Sequence, residues 1–396
     1  MAGRVILAAG GTGGHLFPAE ALAEELLARG HQPILLTDSR GADLGGVLGG
    51  IERHTVRAGT ITGGSIGGRI RGMADIAAGT LQAGRLLGQL APLAVVGFGG
   101  YPSLPTMLAA TRAGVATVIH EQNAVLGRVN RLLAGRVAAI ALSFGETARL
   151  RPDHAAKVSL TGNPVRQAVR AVRDIAYLAP PPEAAINLLV LGGSQGAQVL
   201  SDVVPAALAL LPESLRKRIR LTQQCRPEDL ERVREACAQM AIAADLSSFF
   251  ADVPARLATA HLAIARAGAS TISELAVAGR PALLVPLPSA MDDHQTANAR
   301  MLEEAGGGWL VPQPRFQPQP LAETLEALTG DPRFLAGAAE KARQVGRPEA
   351  AHDLAELVES LARRGRSQHD TGAQINGRTA PQSDAGTEVG HCEVAA

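Results

Sequence analysis

The chain is poor in cysteine, lysine and aromatic residues, and each shortage excludes something. Its three cysteines, Cys225, Cys237 and Cys392, are widely spaced and form no C-x-x-C pair. A disulfide scaffold and a zinc module are thereby ruled out, and a reducing compartment is the natural reading. Only Lys157, Lys217 and Lys341 are lysines, and none follows a glycine. The Gly-Lys-[Ser/Thr] of a P-loop NTPase is therefore absent. Charge of one sign is lacking too: 38 basic residues against 37 acidic ones leave a formal charge of +1. Attraction of the whole chain to nucleic acid or to an anionic membrane is excluded, so such contact would need a local patch. Long apolar runs are missing as well. The longest uncharged stretch, Leu86 to Thr111, is broken by Gly88, Gly97, Gly99, Gly100, Pro92, Pro102 and Pro105. A membrane-spanning helix needs about 20 apolar residues without such breaks. Five apolar residues after Arg4 are too few for a secretory signal. The expectation is a protein that is soluble or attached at most to a membrane surface.

What is present is core-forming material. Apolar residues make up 46% of 396 residues, enough for two or three domains. Short β-rich runs alternate with helical ones: Val5–Ala9, Pro33–Thr37, Leu93–Gly97, Val115–His120 and Val137–Ser143 read as strands. Continuous apolar strands between helices predict an α/β protein with parallel sheets covered on both faces. Asn163-Pro164 and Ala179-Pro180-Pro181-Pro182 interrupt this scheme, which then restarts with strands at Ile186–Leu191, Ile219–Gln223, Leu262–Ala265 and Ala282–Pro286. The restart repeats the beginning. Gly10-Gly11-Thr12-Gly13-Gly14 follows the first strand and Gly192-Gly193-Ser194-Gln195-Gly196 follows the first strand past the break. Two similar Rossmann-like domains facing a central cleft are the economical architecture, with ligand at the carboxyl ends of the strands. Pro312–Pro320 reads as a surface loop, and the polar composition from residue 364 to 396 predicts a disordered tail.

The glycine turns carry the chemistry. Glycines between a strand and a helix let a ligand approach the backbone, and the helix N-terminus favours an anion. His15, directly after the first turn, would stand at the cleft mouth as a general base. Gly-x-Gly-x-x-Gly fits neither turn, which weakens a nicotinamide dehydrogenase. The second turn also reads Gly-x-Ser-x-Gly, the nucleophile elbow of α/β-hydrolases, with His261, His294 and His352 downstream. A serine hydrolase using Ser194 is therefore the rival enzyme, and a non-catalytic nucleotide-sugar-binding protein is the rival outside enzymes. In Arg266 to Ala276, Ser270 is placed as helix N-cap, and Glu274 as a carboxylate free to accept ribose hydroxyls. His120-Glu121-Gln122-Asn123 ends a strand with polar groups but lacks the second histidine of a zincin. Asp292-Asp293-His294 has no second acidic segment to complete a metal site, and no Asp-x-Asp occurs in the chain. No metal or other cofactor is expected.

Together these segments resemble one family. Gly-Gly-Thr-Gly-Gly-His (10–15), Gly-Phe-Gly-Gly-Tyr (97–101), His-Glu-Gln-Asn (120–123), Gly-Asn-Pro-Val-Arg (162–166), Gly-Gly-Ser-Gln-Gly-Ala (192–197), Arg-x-Gly-Ala-x-Thr-x-Ser-Glu (266–274) and Asp-Asp-His-Gln-x-x-Asn-Ala (292–299) appear in the order of the MurG glycosyltransferases of bacterial cell-wall synthesis. The likeness spans about residues 4 to 362. It implies a GT-B fold: an N-terminal acceptor-side domain (1–165), a UDP-sugar domain (166–346), and a C-terminal helix (347–363) packing back on the first domain. It implies inverting transfer of N-acetylglucosamine from UDP-N-acetylglucosamine to the 4-hydroxyl of muramic acid in an undecaprenyl-pyrophosphoryl-muramyl-pentapeptide. The work would be done peripherally at the cytoplasmic face of the inner membrane, with other cell-wall synthesis and division proteins as partners and no nucleic acid.

Carried over residue by residue, the donor site takes in Thr12, Gly13, Gly14, Asn123, Arg166, Ser194, Phe250, Ala269, Ser270, Thr271, Ile272, Ser273, Glu274 and Gln295. Glu274 would hold the ribose and Arg166 would face the charge on the leaving UDP. His15 is the first choice as catalytic base and Glu121 the second. For membrane contact, Gly59–Leu87 offers Ile61, Ile66, Ile70, Met73 and Ile76 beside Arg69, Arg71 and Arg85, without aromatic residues; an ordinary loop and amphipathic helix explains the segment equally well.

Overall fold

The computed structural model describes residues 2–11, 13–39, 45–60, 65–193 and 196–376, with side chains to residue 364. Two all-parallel sheets organise it. The first has seven strands in the order β3-β2-β1-β4-β5-β6-β7: β1 Arg4–Ala8, β2 Gln32–Thr37, β3 Glu52–Thr55, β4 Ala94–Gly97, β5 Ala116–Glu121, β6 Ala139–Leu142 and β7 Val158–Leu160. The second has six in the order β10-β9-β8-β11-β12-β13: β8 Ile186–Leu191, β9 Ile219–Gln224, β10 Ala243–Ser247, β11 Leu262–Ala265, β12 Ala282–Leu284 and β13 Gly308–Leu310. In both, the strand order reverses beside the first strand of the domain, which is where open parallel sheets form their ligand crevice.

Side-chain alternation explains why these runs are apolar throughout. In β1, Val5 and Leu7 enter one core, with Leu22 and Leu26 of the Gly13–Ala28 helix. Ile6 and Ala8 enter the core on the opposite face, with Ile76 and Met107. β8 divides likewise: Ile186, Leu188 and Val190 pack on one side and Leu189 on the other. A strand buried on both faces cannot afford polar alternation.

The chain passes between the sheets twice. After β7 it reaches the Gln167–Val172 helix, which packs on the Val253–Thr259 and Ala269–Ala278 helices of the second domain. After the Pro332–Val345 helix it returns, and the Ala350–Asn376 helix packs on the Gly13–Ala28 helix, β4 and β5. Leu354, Ala355 and Val358 are buried in the first domain's core, and each of the two larger ones gains about 1.5–3 kcal/mol by that burial.

Three local expectations change. The last helix runs on to Asn376 instead of giving way to irregular chain at 364; residues 377–396 lie outside the described part. The proline-rich segment is no plain surface loop. A short turn, Gln313–Arg315, leads to fully buried Phe316, and a helix starts at Pro318, where proline's missing N–H costs nothing. Ser270 is not the N-cap: Gly268 takes that position and Ser270 falls in the first turn of the Ala269–Ala278 helix.

Candidate active site

Strand register brings the polar segments to one level. β1 pairs with β4 through Ala8 and Gly97, and β4 with β5 through Gly97 and Ile119. The chain leaving β1, β4 and β5 therefore presents the glycine turn with His15, the Gly99–Tyr101 turn, and Gln122-Asn123 side by side. In the second sheet β8, β11 and β12 end together, Leu191 opposite Ala265 and Ala265 opposite Leu284. That aligns the second glycine turn, the start of the Ala269–Ala278 helix and the segment leading to Gln295.

Between the two sets lies a cavity of about 430 Å³. Gly13, Gly14, His15, Asn123, Ala269, Ser270, Thr271 and Gln295 of the expected residues line it. On the second domain's side the helix N-terminus has no side-chain cap. Its free N–H groups and the Ser270 hydroxyl, buried and without a partner, offer donors to an anionic or carbonyl-bearing ligand. Gln295 Oε1 accepts from the Leu287 amide at 2.9 Å, which leaves its NH₂ as a donor.

A second cavity of about 180 Å³ adjoins the first on the other side of His15, lined by Gly99, Gly100, Tyr101, Arg128, Asn130 and Asp292 among others. His15, Gln122, Asn123 and His294 line both. His15 Nδ1 lies 3.1 Å from Gln122 Oε1. Glu121 is differently placed. It is buried, and its carboxylate accepts from the Asn123 amide (3.0 Å), Asn123 Nδ2 (3.2 Å), the Gly127 amide (2.8 Å) and Asn130 Nδ2 (2.9 Å). Four donors on two oxygens fix the loop after β5 and leave little lone-pair capacity for a reacting proton.

Several expected donor-site residues do not line the cavity. Glu274 is nearly buried and pairs with Arg166 at 2.9 Å. Burial pushes its pKa up, and the Arg166 guanidinium holds it partly down. Arg166 also lies over the Phe17 ring, 4.5 Å from its centroid, so its charge is committed to Glu274 and Phe17. Ile272 is buried in the domain core, and Ser273 Oγ donates back to the Ala269 carbonyl at 2.9 Å. Both instead line a larger cavity, about 610 Å³, together with Asn163, Gly346 and Arg347 at the two interdomain crossings. Phe250 is buried beneath the Arg256 guanidinium, 3.8 Å from its ring centroid. Thr12 and Ser194 lie outside the described residues.

Conversely, Phe17 and Leu287 line the main cavity without having been named, and Gln122, Arg266 and His294, named within motifs, line it without having been assigned to the donor site. Arg266 donates to the Val285 and Pro286 carbonyls and to Gln313 Oε1, which holds the segment after β12 in place. Among the described residues no cluster of three or more His, Cys, Asp or Glu could hold a metal ion. Asp292 is taken up by Arg131 at 2.9 Å and Arg149 at 3.5 Å, which hold its carboxyl below the usual range.

Among the described residues, which do not include Ser194, no hydrolase triad is assembled: His294 Nδ1 is engaged by the Met291 carbonyl at 2.8 Å, and the other two candidate histidines lie away from the second glycine turn. His261 accepts from the Asn187 amide at the amino end of β8, the opposite end from the glycine turn. His352 sits beside Arg29, 2.7 Å away, on the last helix.

Comparison with known proteins agrees with this fold. The model of the glycosyltransferase family 28 N-terminal domain matches residues 5–142, and that of the C-terminal domain matches 187–357. The chain is 57% identical to the UDP-N-acetylglucosamine–N-acetylmuramyl-(pentapeptide) pyrophosphoryl-undecaprenol N-acetylglucosamine transferase of Paramagnetospirillum magneticum, over 90% of this chain and 96% of that one. It is 55% identical to the enzyme of the same name from Rhodospirillum rubrum, over 90% and 92%. The crystal structure of Acinetobacter baumannii MurG superposes with a TM-score of 0.70 at 31% identity, covering 90% of this chain and 99% of that one. With two Rossmann-like domains in the GT-B arrangement and this degree of identity, the chain belongs to glycosyltransferase family 28 and, within it, to the MurG family of UDP-N-acetylglucosamine-dependent transferases.

Proposed function

We propose that this chain transfers N-acetylglucosamine from UDP-N-acetylglucosamine to the 4-hydroxyl of the muramic acid in a lipid-linked pyrophosphoryl-muramyl-pentapeptide, with His15 as base. The carrying observation is the position of His15 between two adjoining cavities, one ending at an uncapped helix N-terminus. The larger cavity takes the donor. The N–H groups of Ala269 to Thr271, with the glycine turns, receive UDP and Gln295 meets the sugar; Glu274, set back from this cavity and paired with Arg166, meets the ribose only when that pair parts as the donor enters. The smaller cavity takes the acceptor sugar.

The step is a displacement. The acceptor oxygen forms the new bond to C1 as the C1–O bond to phosphate breaks. The electron pair leaves with UDP, where helix-terminal N–H groups stabilise the developing charge. The hydroxyl proton passes to His15. Attack from the acceptor side, opposite the leaving group, inverts C1.

The acceptor's lipid implies work at a membrane surface. The Ile66–Leu90 helix exposes Ile66, Ile70 and Met73 beside Arg69 and Arg71, which suits shallow attachment to anionic lipid. No helix among the described residues is long and apolar enough to cross a membrane. Attachment at the inner membrane's cytoplasmic face, alongside other cell-wall synthesis and division proteins, completes the reading.

The test is UDP release from UDP-N-acetylglucosamine with a soluble lipid-linked muramyl-pentapeptide analogue, in EDTA. Acceptor-dependent release is expected, falling about 10²–10⁴-fold in His15→Ala with UDP still bound. Release that does not depend on acceptor, or an unimpaired His15→Ala enzyme, overturns the corresponding half of the proposal.

A further inference from the structure

A neutral histidine has one nitrogen that can accept a proton, and which one depends on where the ring hydrogen is held. At His15 that is decided by a chain of contacts starting at the interdomain crossing. The Gly162 carbonyl can only accept, and it lies 3.0 Å from His120 Nε2. That nitrogen therefore carries hydrogen. His120 is fully buried, and burial, reinforced by His15 nearby, pushes its pKa down to about 4. At neutral pH its lone pair is on Nδ1.

Gln122 Nε2 lies 2.9 Å from His120 Nδ1 and 3.1 Å from the His120 carbonyl oxygen. Both are acceptors, so the amide nitrogen must face them; a flipped amide would set oxygen against both. Gln122 Oε1 then faces His15 Nδ1 at 3.1 Å. An amide oxygen only accepts, so His15 carries hydrogen on Nδ1 and its lone pair on Nε2. The Nε2 edge lies against Gly100, where a Cβ would come within 3.2 Å of it.

We propose that Gln122 and His120 are positioning residues that hold His15 in the Nδ1–H tautomer and so make Nε2 the nitrogen that takes the acceptor proton. The proposal rests on the reading of His15 as base. An unrestrained neutral histidine favours hydrogen on Nε2, which would leave the wrong nitrogen free. The relay is built from neutral groups. A carboxylate on Nδ1, as in serine-protease triads, favours the imidazolium; an amide orients the ring without doing so. When Nε2 takes the proton, Nδ1–H keeps its bond to Gln122, and no proton travels further down the chain. The anchor also lies where the domains join: a Cβ on Gly162 would come within 2.8 Å of the Arg347 side chain and 3.0 Å of Ala350 on the returning crossing.

The experiment is ¹⁵N NMR of the full-length protein labelled at histidine, with the His15 resonances assigned by their loss in His15→Gln. At neutral pH the unprotonated nitrogen of His15 is expected to be Nε2. A protonated Nε2 in the unaltered protein overturns the proposal, whatever the variants do. Gln122→Met should shift His15 toward the other tautomer and lower kcat about ten- to a hundredfold, as loss of a histidine-orienting partner does, with KM for UDP-N-acetylglucosamine changed by no more than about twofold. Gln122→Glu keeps an acceptor on His15 Nδ1 and so should keep the tautomer, but its second oxygen faces the two His120 acceptors, so only part of kcat should return, while the acidic limb of the kcat profile moves to higher pH. Glu121, Arg128, Asp292, His294 and Arg266 also line these two cavities and are unchanged in both variants, so the movement is read as a difference from the parent profile. An unmoved limb and an unmoved tautomer in both variants would show that Gln122 only fills space. If His15→Gln stays active while the tautomer is as expected, the base reading fails and the relay stands as a structural device.

Discussion

His120 is the penultimate residue of β5, inside the protein and neutral, with a pKa near 4 where an exposed histidine has about 6.5. An unfolded chain would bind a proton there between those values while the fold would not. The unfolded state then holds more protons, so this residue's stabilising contribution is complete above about pH 6.5 and is lost as pH falls toward 4. The shift is worth about 3 kcal/mol. Urea titrations at pH 7 and pH 4 should show the stability difference between the parent chain and His120→Gln shrinking by about that amount; a difference independent of pH would mean that His120 titrates normally. The same residue marks a boundary of sequence reading. His120, Glu121, Gln122 and Asn123 are recognisable as a polar strand end. Their division into a buried relay (His120, Gln122), a loop anchor (Glu121) and a cavity residue (Asn123) depends on Gly162, Asn130 and Gly127, whose proximity no spacing encodes. Phe250 shows the same limit from the other side: its partner is Arg256, and nothing in the local sequence distinguishes it from exposed Phe249.

Among the elements, the Ile66–Leu90 helix has two working faces. Gly72, Ile76, Gly79, Ala83 and Leu87 form its buried stripe. At Gly79 the helix crosses the preceding chain so closely that a Cβ would fall 1.9 Å from the Arg57 carbonyl oxygen. Glycine is needed there for approach, not for backbone freedom. The outward end carries Ile66, Ile70 and Met73, and a double change, Ile66→Glu with Ile70→Glu, should weaken co-sedimentation with anionic vesicles by at least about tenfold. Unaltered sedimentation would place membrane contact elsewhere. Strands divide by position in the sheet. β1, β4, β5, β8 and β11 are legible because both their faces are buried and the runs are apolar. β3 (Glu-Arg-His-Thr) and β10 (Ala-Ala-Asp-Leu-Ser) are edge strands, largely exposed, and carry the charges that discourage edge pairing, so no apolar signal announces them. β13 has only three residues, too few for a period to show.

For the whole molecule, the relation between the domains is held at the cleft floor by Asn298, which is fully buried. Its side chain accepts from the Ala124 amide at 2.8 Å and donates to Asn123 Oδ1 and the Ala267 carbonyl, both at 3.1 Å. Arg131 and Asp292 pair across the same gap. Two-domain proteins with polar interfaces move about them by default, and Asn298→Ala removes this clasp while leaving both cores intact. It should lower kcat/KM about tenfold or more, from the loss of bonds worth about 1 kcal/mol each, and enlarge the radius of gyration in solution scattering. An unchanged radius would mean that the crossings alone set the closed geometry. The return of the last helix to the first domain has a consequence for how the chain is made. Synthesis delivers Val5, Leu7 and Leu22 before the entire second domain, and the Leu354, Ala355 and Val358 that complete their core only after it. A stalled or shortened chain would therefore carry a finished second domain tethered to a first domain with an open apolar groove, a difference that chaperones and proteases can read before any enzyme activity exists.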